Sequence, residues 1–137
     1  MDAQLQEIFD KNHMYMTDER RRFFDYLASL ESPASIQQIA NDLDSKMNES
    51  TVYRNVRTFE QLGIINRVYS GWKYKIELSD AFSHHHHHLS CTGCDKIISF
   101  EESQQFIDEL DQLEKRYDFK ISSHSLELKG LCKSCST

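Results

Sequence analysis

Two Cys-x-x-Cys pairs constrain the fold of this chain more than any other feature. Cys91 and Cys94 form the first pair, Cys132 and Cys135 form the second, and the sequence has no other cysteine. Two intervening residues allow both thiolates of a tight turn to bind one ion, and two such turns complete a tetrahedral zinc shell. We therefore predict a structural zinc at these four residues. A thiol–disulfide redox pair is the competing interpretation.

A structural metal also suits the length of the chain. Each half of 137 residues is close to the size at which a hydrophobic core alone gives marginal stability. The sequence contains no apolar run long enough to cross a bilayer, and its first residues lack the pattern of a signal peptide. We expect a cytoplasmic protein without a membrane partner.

The first half of the sequence predicts three helices followed by a hairpin. The helices are residues 17–29 with Thr17 as N-cap, the stripe Ile36–Leu43 after Pro33, and a helix capped by Asn48 or Ser50 that ends before Gly63. Two strand-like runs follow, Ile64–Tyr69 and Trp72–Leu78, with Ser70-Gly71 as the turn signal. This order is the layout of a winged helix-turn-helix, in which the last helix enters the DNA major groove.

The third helix carries the candidate DNA-binding residues. Its predicted buried face consists of Val52, Val56, Phe59 and Leu62. Tyr53, Arg54 and Arg57 then project outward, where a tyrosine ring can contact a thymine methyl and an arginine can reach phosphate or guanine. The net charge of −6 argues against nucleic acid as a partner. One segment carries a local excess of basic residues over Glu60: Arg54, Arg57, Arg67, Lys73 and Lys75. A solvated helix face is the alternative.

The second half predicts a small α/β unit, which makes the whole chain α+β. Its elements are a short strand through Cys91, a strand at Ile97–Phe100, a helix at about 102–117 and a strand at Phe119–Leu128. The predicted buried stripe of the helix is Phe106, Leu110, Leu113 and Tyr117. Residues 79–84 interrupt the pattern and are predicted to be a hinge between domains 1–78 and 85–137.

A run of histidines, His84 to His88, leads directly into the first cysteine pair. Side chains alternate between the two faces of a strand, so His86 and His88 would share one face and His85 and His87 the other. One strand can then contribute to two metal sites, for which Glu77 and His124 are the obvious additional ligands. Imidazole suits zinc, iron, nickel, cobalt or manganese. A merely polar edge strand is the alternative.

These motifs together resemble the ferric-uptake-regulator (Fur) family of metal-dependent repressors. The resemblance runs from about Thr17 to Cys135, with its most specific parts at residues 50–56, at 85–89 with the first cysteine pair, and at 124–126 ahead of the second. It implies a winged-helix domain, a hinge and a dimerisation domain. It also implies a homodimer that binds AT-rich palindromic operators in double-stranded DNA when metal is present.

The resemblance further implies roles for particular residues. Ser50 and Thr51 open the helix whose Tyr53 and Arg54 occupy the family's recognition positions. The regulatory metal, a second divalent ion (Fe, Mn, Zn, Ni or Co), falls to Glu77, His86 and His88. The second site falls to His85, His87 and His124. The family's helical glutamate coincides with Ile107, so Asp108 is expected to serve as the acidic ligand, with Glu102 as the other option.

Departures from the family pattern affect the regulatory site. Ser32 stands where many members have a histidine ligand, and Ser99 stands where peroxide-sensing members have an aspartate. Asn66 replaces a ligand position of the zinc-sensing members, and about two extra residues lie between Glu77 and the histidines. Asp80 and His84 are possible substitutes.

The sequence thus predicts a metal-responsive repressor of metal-homeostasis genes, without catalytic residues or a small-molecule substrate. The alternative is a metal-independent or peroxide-responsive DNA-binding regulator of the same fold, which the losses at Ser32 and Ser99 motivate. A zinc hydrolase is a third option. It requires a general base and a pocket in addition to histidines, and it leaves the winged-helix half unexplained.

Overall fold

A computed structural model of the chain describes residues 2–43 and 47–137, which form two compact units. The first unit is Met1–His84 and the second is His85–Thr137. Within the described residues, none of the helices combines the length and the apolar character that crossing a membrane requires.

In the described part of the first unit, four helices precede a hairpin. They are α1 (Asp2–Lys11), α2 (Asp18–Ala28), α3 (Ile36–Asp42) and α4 (Glu49–Gln61). The side chains of Thr17, Ser35 and Asn48 accept hydrogen bonds from the backbone N–H three residues later, at 3.2, 3.0 and 2.9 Å. These caps satisfy backbone donors that the first helical turn leaves unpaired, and they fix where α2, α3 and α4 begin.

Helix α1 is an element that the sequence analysis did not assign. Its residues Leu5 and Phe9, spaced one helical turn apart, are both fully buried. The Phe9 ring lies edge-on to Phe59 at 5.7 Å, and Phe23 lies edge-on to the same ring at 4.9 Å. Phe59 of α4 is therefore at the centre of the core of the first unit, and α1 closes that core.

The hairpin, called the wing below, consists of β1 (Ile65–Ser70) and β2 (Lys73–Leu78). The strands pair antiparallel from Ile65 opposite Leu78 to Ser70 opposite Lys73. The two turn residues are therefore Gly71 and Trp72, one position later than predicted. Gly71 has a φ of 66°, and glycine is the residue that adopts this conformation at the first position of such a turn without strain.

The second unit contains β3 (His87–Cys91), β4 (Ile97–Phe100), α5 (Gln104–Tyr117), β5 (Glu127–Gly130) and α6 (Lys133–Ser136). The three strands form a sheet in the order β4-β3-β5. The central strand β3 pairs antiparallel with β4 and parallel with β5. Helices and strands of both units together confirm the predicted mixture of α and β structure.

Two predictions for the second unit were wrong. The strand predicted at Phe119–Leu128 begins only at Glu127, because β5 can pair only along the short β3. The predicted buried stripe of α5 is largely open: Leu113 and Tyr117 are 43% and 66% exposed in the single chain. Helical periodicity shows which side chains share a face, but a small unit does not contain enough chain to cover that face.

Candidate metal centres and nucleic-acid interface

The four cysteines predicted to hold zinc come together in the second unit. We call Cys91, Cys94, Cys132 and Cys135 the cysteine cluster, and their sulfur atoms all lie within 4.8 Å of one another. The Sγ atoms of Cys94 and Cys132 are 3.7 Å apart, far beyond a disulfide bond of about 2.05 Å. Four separate thiols around one point match the tetrahedral sulfur shell of a structural zinc.

The backbone of the second unit builds this cluster from two strand ends. Cys91 is the last residue of β3 and is paired with Gly130 at the end of β5, so the two Cys-x-x-Cys turns leave the sheet side by side. Thr92 N–H donates to the carbonyl of Gly130 at 2.8 Å and continues this pairing. A Cβ at Gly93 would lie 2.9 Å from the Sγ of Cys135, so the close approach of the second turn requires glycine there.

Hydrogen bonding prepares some of the thiols for metal. The backbone N–H of Cys132 donates to the sulfur of Cys91 and lowers the pKa of that thiol to about 6. The backbone N–H of Cys135 likewise lowers the pKa of Cys132. The hydrogen bond with Cys132 instead raises the pKa of Cys135 to about 12. A thiol must lose its proton to bind metal, so the N–H donors favour the ligand form at Cys91 and Cys132.

A second group of donors assembles around Glu102. We call His85, His87, Glu102 and His124 the histidine–glutamate cluster, and their donor atoms also lie within 4.8 Å of one another. One oxygen of Glu102 lies 3.0 Å from Nε2 of His85 and 2.7 Å from Nε2 of His87, and it also contacts Nε2 of His124. Three imidazoles and a carboxylate form a nitrogen–oxygen donor set of the kind that first-row divalent metals bind.

The members of this cluster come from three parts of the second unit. His85 precedes β3, and His87 is the first residue of that strand and only 4% exposed. Glu102 stands just before Ser103, the N-cap of α5, and His124 lies in the segment that leads to β5. The hydrogen bond from His87 is the main reason why the pKa of Glu102 is lowered, so the carboxylate is held in its anionic form.

Asp108, the acidic ligand preferred from the sequence, does not join this cluster. It lies in the second turn of α5, where its carboxylate accepts a hydrogen bond of 3.0 Å from Gln104. The sequence favoured Asp108 and gave Glu102 as the other option; Glu102 precedes the helix altogether. Its position directly before Ser103, the N-cap of α5, places it at the start of that helix.

His86 and His88 lie together, with ring centroids 4.8 Å apart. His88 is paired across the sheet with Ser99, where the family resemblance implies an aspartate in peroxide-sensing members. Cross-strand partners share a face, so Ser99 presents only a short hydroxyl on the side where a carboxylate would reach the histidines. Glu77 belongs to β2 of the first unit, and its place in this site stays a prediction from the sequence.

Helix α4, the predicted recognition helix, has one buried and one exposed face. Val52, Val56 and Phe59 are buried, whereas Tyr53 is 52% exposed and Arg54, Arg57 and Ser50 are exposed. Thr51 is buried, and its Oγ1 accepts a hydrogen bond of 2.9 Å from Arg54. Arg54 is thereby fixed against its own helix with part of its guanidinium still available for a phosphate or a base edge.

Asn55 is a functional support that the sequence analysis missed. It is 3% exposed, and its side-chain amide donates to the Thr51 carbonyl at 3.1 Å and to a Glu19 carboxylate oxygen at 3.3 Å. The bond to Glu19 joins α4 to α2, whereas the bond to Thr51 lies within α4. An asparagine within an apolar helix face was the available signal, because a buried amide needs hydrogen-bond partners.

Arg67, one of the basic residues of the segment, is occupied by contacts within the first unit. Its guanidinium donates two hydrogen bonds to Glu60, at 2.6 and 3.0 Å, and stacks 4.4 Å from the centre of the Tyr74 ring. The hydrogen bond with Glu60 raises the pKa of Arg67. This bidentate pair ties β1 to the end of α4, and it leaves Arg54, Arg57, Lys73 and Lys75 as the cationic residues of the segment.

A sequence model of the ferric uptake regulator family matches residues 11–129 of this chain. The chain belongs to the ferric uptake regulator family. PerR of Staphylococcus epidermidis, a peroxide-responsive repressor, is 32% identical over 127 residues, which cover 88% of this chain and 80% of PerR. PerR of Staphylococcus aureus is 28% identical over 127 residues, covering 88% and 81%.

Solved structures agree with this membership. The ferric uptake regulator of Helicobacter pylori matches with a TM-score of 0.80 at 24% identity, covering 98% of this chain and 91% of that one, which shows the shared fold. The iron-containing regulator from Francisella tularensis has a TM-score of 0.71 at 25% identity, covering 90% and 96%. A zinc-bound manganese uptake regulator matches with a TM-score of 0.68 at 28% identity, covering 93% of this chain and 98% of that one.

Membership confirms the predicted α+β fold and the coarse function. Ferric uptake regulator proteins are DNA-binding regulators of transcription, and the curated relatives are repressors rather than enzymes. The prediction of a structural zinc and a second divalent metal is confirmed at the level of the family, whose structures include the zinc-bound and iron-containing proteins above. The donor sets of this chain fit two such ions. The cysteine cluster offers sulfur, and the histidine–glutamate cluster offers nitrogen and oxygen.

Proposed function

We propose that this protein is a homodimeric, metal-responsive repressor of metal-homeostasis genes. Residues 1–78 would bind DNA, 79–84 would form the hinge, and 85–137 would dimerise and bind metal. The observation that carries the proposal is that alternate histidines of the run belong to two separate groups of donors. His85 and His87 meet Glu102, whereas the rings of His86 and His88 lie against each other. A regulator that responds to metal needs donors of this kind beside its structural zinc.

DNA binding is assigned to the exposed face of α4. Tyr53, Arg54 and Arg57 project from a helix whose other face is buried, and Ser50 and Thr51 stand at its first turn. In the winged-helix arrangement this face enters the major groove of an AT-rich palindromic operator, where the tyrosine ring reads thymine methyls and the arginines hold phosphate or guanine. Asn55 and the Asn48 cap hold the helix in register for that contact.

Metal responsiveness is assigned to the histidines on both faces of the run. His86 and His88, with a carboxylate from the first unit for which Glu77 is the candidate, would form the regulatory site. The histidine–glutamate cluster would form the second site. A divalent ion such as Fe, Mn, Zn, Ni or Co supplies about 1–3 kcal/mol of preference for the DNA-competent arrangement, the usual size of such coupling. The histidines must be neutral to bind it, so acid should weaken the response.

The second unit carries the surface assigned to dimerisation. Its large apolar side chains that are more than a third exposed are Leu89, Ile98, Ile107, Leu113, Tyr117, Phe119, Leu128 and Leu131. Such a concentration in a unit of 53 residues, counted from His85 to Thr137, is larger than a monomer usually leaves to water. A second copy that covers it would bury the open face of α5 and complete the core that the single chain lacks.

The experiment that tests the proposal measures operator binding against metal. A duplex of about 30 base pairs, roughly three helical turns, is enriched from a random pool by the protein loaded with zinc and manganese. Fluorescence anisotropy then gives its Kd with and without added Mn²⁺, Fe²⁺, Zn²⁺, Ni²⁺ or Co²⁺. We expect at least one ion to tighten binding about tenfold, equal to about 1.4 kcal/mol of coupling.

Paired histidine variants locate the response. H86A/H88A removes the donors of the proposed regulatory site, and H85A/H87A removes those of the histidine–glutamate cluster. H13N is the control, since His13 is an exposed histidine of the first unit outside the run, and asparagine tolerates its positive φ. The proposal fails if operator binding by the zinc-replete dimer is unchanged by every ion and by H86A/H88A.

A peroxide-responsive repressor is the second candidate. The observation in its favour is that relatives at 28–32% identity are peroxide-responsive repressors. Ser99 opposite His88 speaks against it, since the acidic residue of the family's peroxide sensors is missing there. Peroxide treatment of the iron-loaded and manganese-loaded proteins separates the two candidates. Loss of operator binding only in the iron-loaded protein would favour peroxide sensing, and equal binding in both would favour simple metal response.

A further inference from the structure

The chain directly after the wing forms a folded turn that is attached to the first unit. Ser79 is 8% exposed; its backbone N–H donates to the carbonyl of Ile64 at 2.8 Å, and its hydroxyl donates to that of Gly63 at 2.9 Å. The backbone N–H of Phe82 donates to the carbonyl of Ser79 at 2.9 Å, and the next N–H does the same at 3.1 Å. These bonds close one helical turn over residues 79–83, called the anchor turn below, and fix it to the loop between α4 and β1.

Phe82 is the side chain that holds the anchor turn in place. Its ring lies edge-on to the ring of Phe24 in α2, with centroids 5.3 Å apart, and it packs against the apolar core of the first unit. Phe24 is only 1% exposed, whereas Asp80 and Ala81 in the middle of the turn are exposed. Edge-to-face is a favoured arrangement of two aromatic rings, and connecting segments otherwise run over the surface in water. A half-buried phenylalanine in such a segment therefore marks a point of attachment.

Only a short piece of free chain is left between the anchor turn and the sheet of the second unit. The two units divide within the histidine run, after His84, and β3 begins at His87. Residues 84–86 belong to neither helix nor strand. Four backbone steps lead from Ser83 to His87 and span at most about 14 Å, whereas the nine steps from Leu78 would span about 32 Å. The anchor turn thus removes more than half of the chain that could otherwise move.

We propose that Phe82 is a positioning residue for the regulatory metal site and sets the metal concentration at which the protein responds. That site is assigned donors from both units, His86 and His88 from the second and Glu77 as the candidate from the first. The length of the free chain determines how concentrated one set of donors is around the other. This effective concentration falls roughly as the −3/2 power of the length, so freeing the anchor turn should lower it about threefold. The inference rests on the proposed metal response and adds to it a residue that tunes the response without binding metal.

F82A releases the anchor turn and leaves every proposed donor in place. The variant is titrated with the ion, among Mn²⁺, Fe²⁺, Zn²⁺, Ni²⁺ and Co²⁺, that most tightens binding of the wild-type protein to the duplex enriched from the random pool. We expect the ion concentration at half response to rise about threefold. F82L keeps an apolar side chain against Phe24 and should recover most of the wild-type threshold. Duplex affinity at saturating ion should stay the same, because a filled site joins its donors whatever the length of the free chain.

A second variant lengthens the free chain without touching Phe82. Inserting Gly-Ser-Gly-Ser between Ser83 and His84 doubles the free chain, which should also raise the half-response concentration about threefold. The histidine–glutamate cluster lies wholly within the second unit and supplies the internal control. In an H86A/H88A background, F82A should leave the affinity of that cluster for the ion unchanged. Hydrogen exchange should show that the anchor turn loses protection in F82A while α4 keeps it; if α4 loses protection too, the insertion variant alone decides.

The outcomes separate this inference from the proposed function. If the ion tightens duplex binding but F82A leaves the half-response concentration unchanged, Phe82 does not position the site and the function stands. If F82A weakens the histidine–glutamate cluster equally, its effect is general and the inference is overturned. An insertion without effect would show that the length of the free chain does not matter, which also overturns the inference. If no ion tightens duplex binding by the wild-type protein, the proposed function and the inference both fail.

Discussion

Glu102 is the central residue of the proposed second metal site. Its carboxylate contacts three imidazoles that come from two distant stretches of sequence, and it is the only anionic member of the histidine–glutamate cluster. Imidazoles alone would hold a divalent ion without compensating its charge. The carboxylate therefore contributes both a donor atom and charge balance, which makes it more informative to mutate than any one histidine.

Replacing Glu102 tests this assignment against the one favoured from the sequence. E102Q should weaken binding of the second ion by at least about tenfold, the smallest loss usual even for residues that only support a ligand. D108N makes the same chemical change on α5 and should leave the affinity unchanged. Competition with a coloured chelator measures both. Equal losses in the two variants, or a loss in D108N alone, would contradict the geometry of the cluster.

A hydrogen bond between α2 and α3 stabilises the helices on which α4 packs. Tyr26 of α2 donates a hydrogen bond to the carboxylate of Asp42, the last residue of α3. Burial of the phenol raises the pKa of Tyr26, and the hydrogen bond and the charge of Asp42 raise it further. The neutral phenol is thus the form that the folded state favours, and it joins the two helices that precede α4.

Y26F should lower the free energy of unfolding by about 1.5 kcal/mol at neutral pH, the value for a hydrogen bond to a charged group. Because the folded pKa lies above the unfolded one, the stabilisation is complete below the unfolded pKa of about 10 and is lost as pH rises toward the folded value. Wild type should therefore lose stability above pH 10 (about the unfolded tyrosine pKa) more steeply than Y26F does.

Urea unfolding followed by far-ultraviolet circular dichroism makes the measurement, since α1 to α4 of the first unit hold most of the helix in the described residues. Y117F is the control, because Tyr117 is an exposed phenol on α5 of the second unit. A Y26F protein as stable as wild type at neutral pH, or a parallel loss of stability in both at alkaline pH, would show that the bond to Asp42 contributes nothing.

The sequence predicted elements best where a local signal sets a boundary. Thr17 begins α2, Asn48 begins α4 and Gly63 takes a positive φ where α4 ends, each as its residue type indicates. These signals act over three or four residues, so they can be recognised without knowing the fold. The β4 strand was likewise found with its observed bounds, Ile97–Phe100.

Non-local interactions account for what was missed. Helix α1 is fixed by packing Leu5 and Phe9 on Phe59, which the sequence places far away. The choice of Glu102 over Asp108 depends on how the start of α5 meets β3, a matter of tertiary structure. Leu113 and Tyr117 share the face predicted for them, but whether that face is covered depends on a partner rather than on the periodicity.

The two units of the molecule are stabilised in different ways. The first has a continuous core around Phe9, Phe23 and Phe59. Among the described residues of the second unit, only His87, Cys91 and Ile97 are buried in the single chain. Two of these three belong to the histidine–glutamate cluster and the cysteine cluster. We therefore expect the second unit to need bound ions and a partner for the free energy that the first unit obtains from apolar packing.

Removal of zinc should therefore unfold the second unit and leave the first unit folded. A chelator strong enough to strip the cysteine cluster should expose the amides of α5 and β5 to hydrogen exchange and dissociate the dimer, while α2 and α4 keep their protection. C132S should show the same pattern without chelator. Exchange measured by mass spectrometry on peptides from each unit makes the comparison. Simultaneous loss of protection in both units, or full protection in the second, would refute this division.

Strand β3 carries His87 at its first residue and Cys91 at its last, about 13 Å away along the strand. Both groups of donors therefore share one short piece of backbone, and each also takes a donor from the segment that includes β5. An ion at one group would restrict the strand from which the other is built, and the resulting coupling of the two affinities would be reciprocal. A cell short of zinc would then carry a regulator whose threshold for its second ion is higher. Zinc nutrition would set the sensitivity of a response to a different metal.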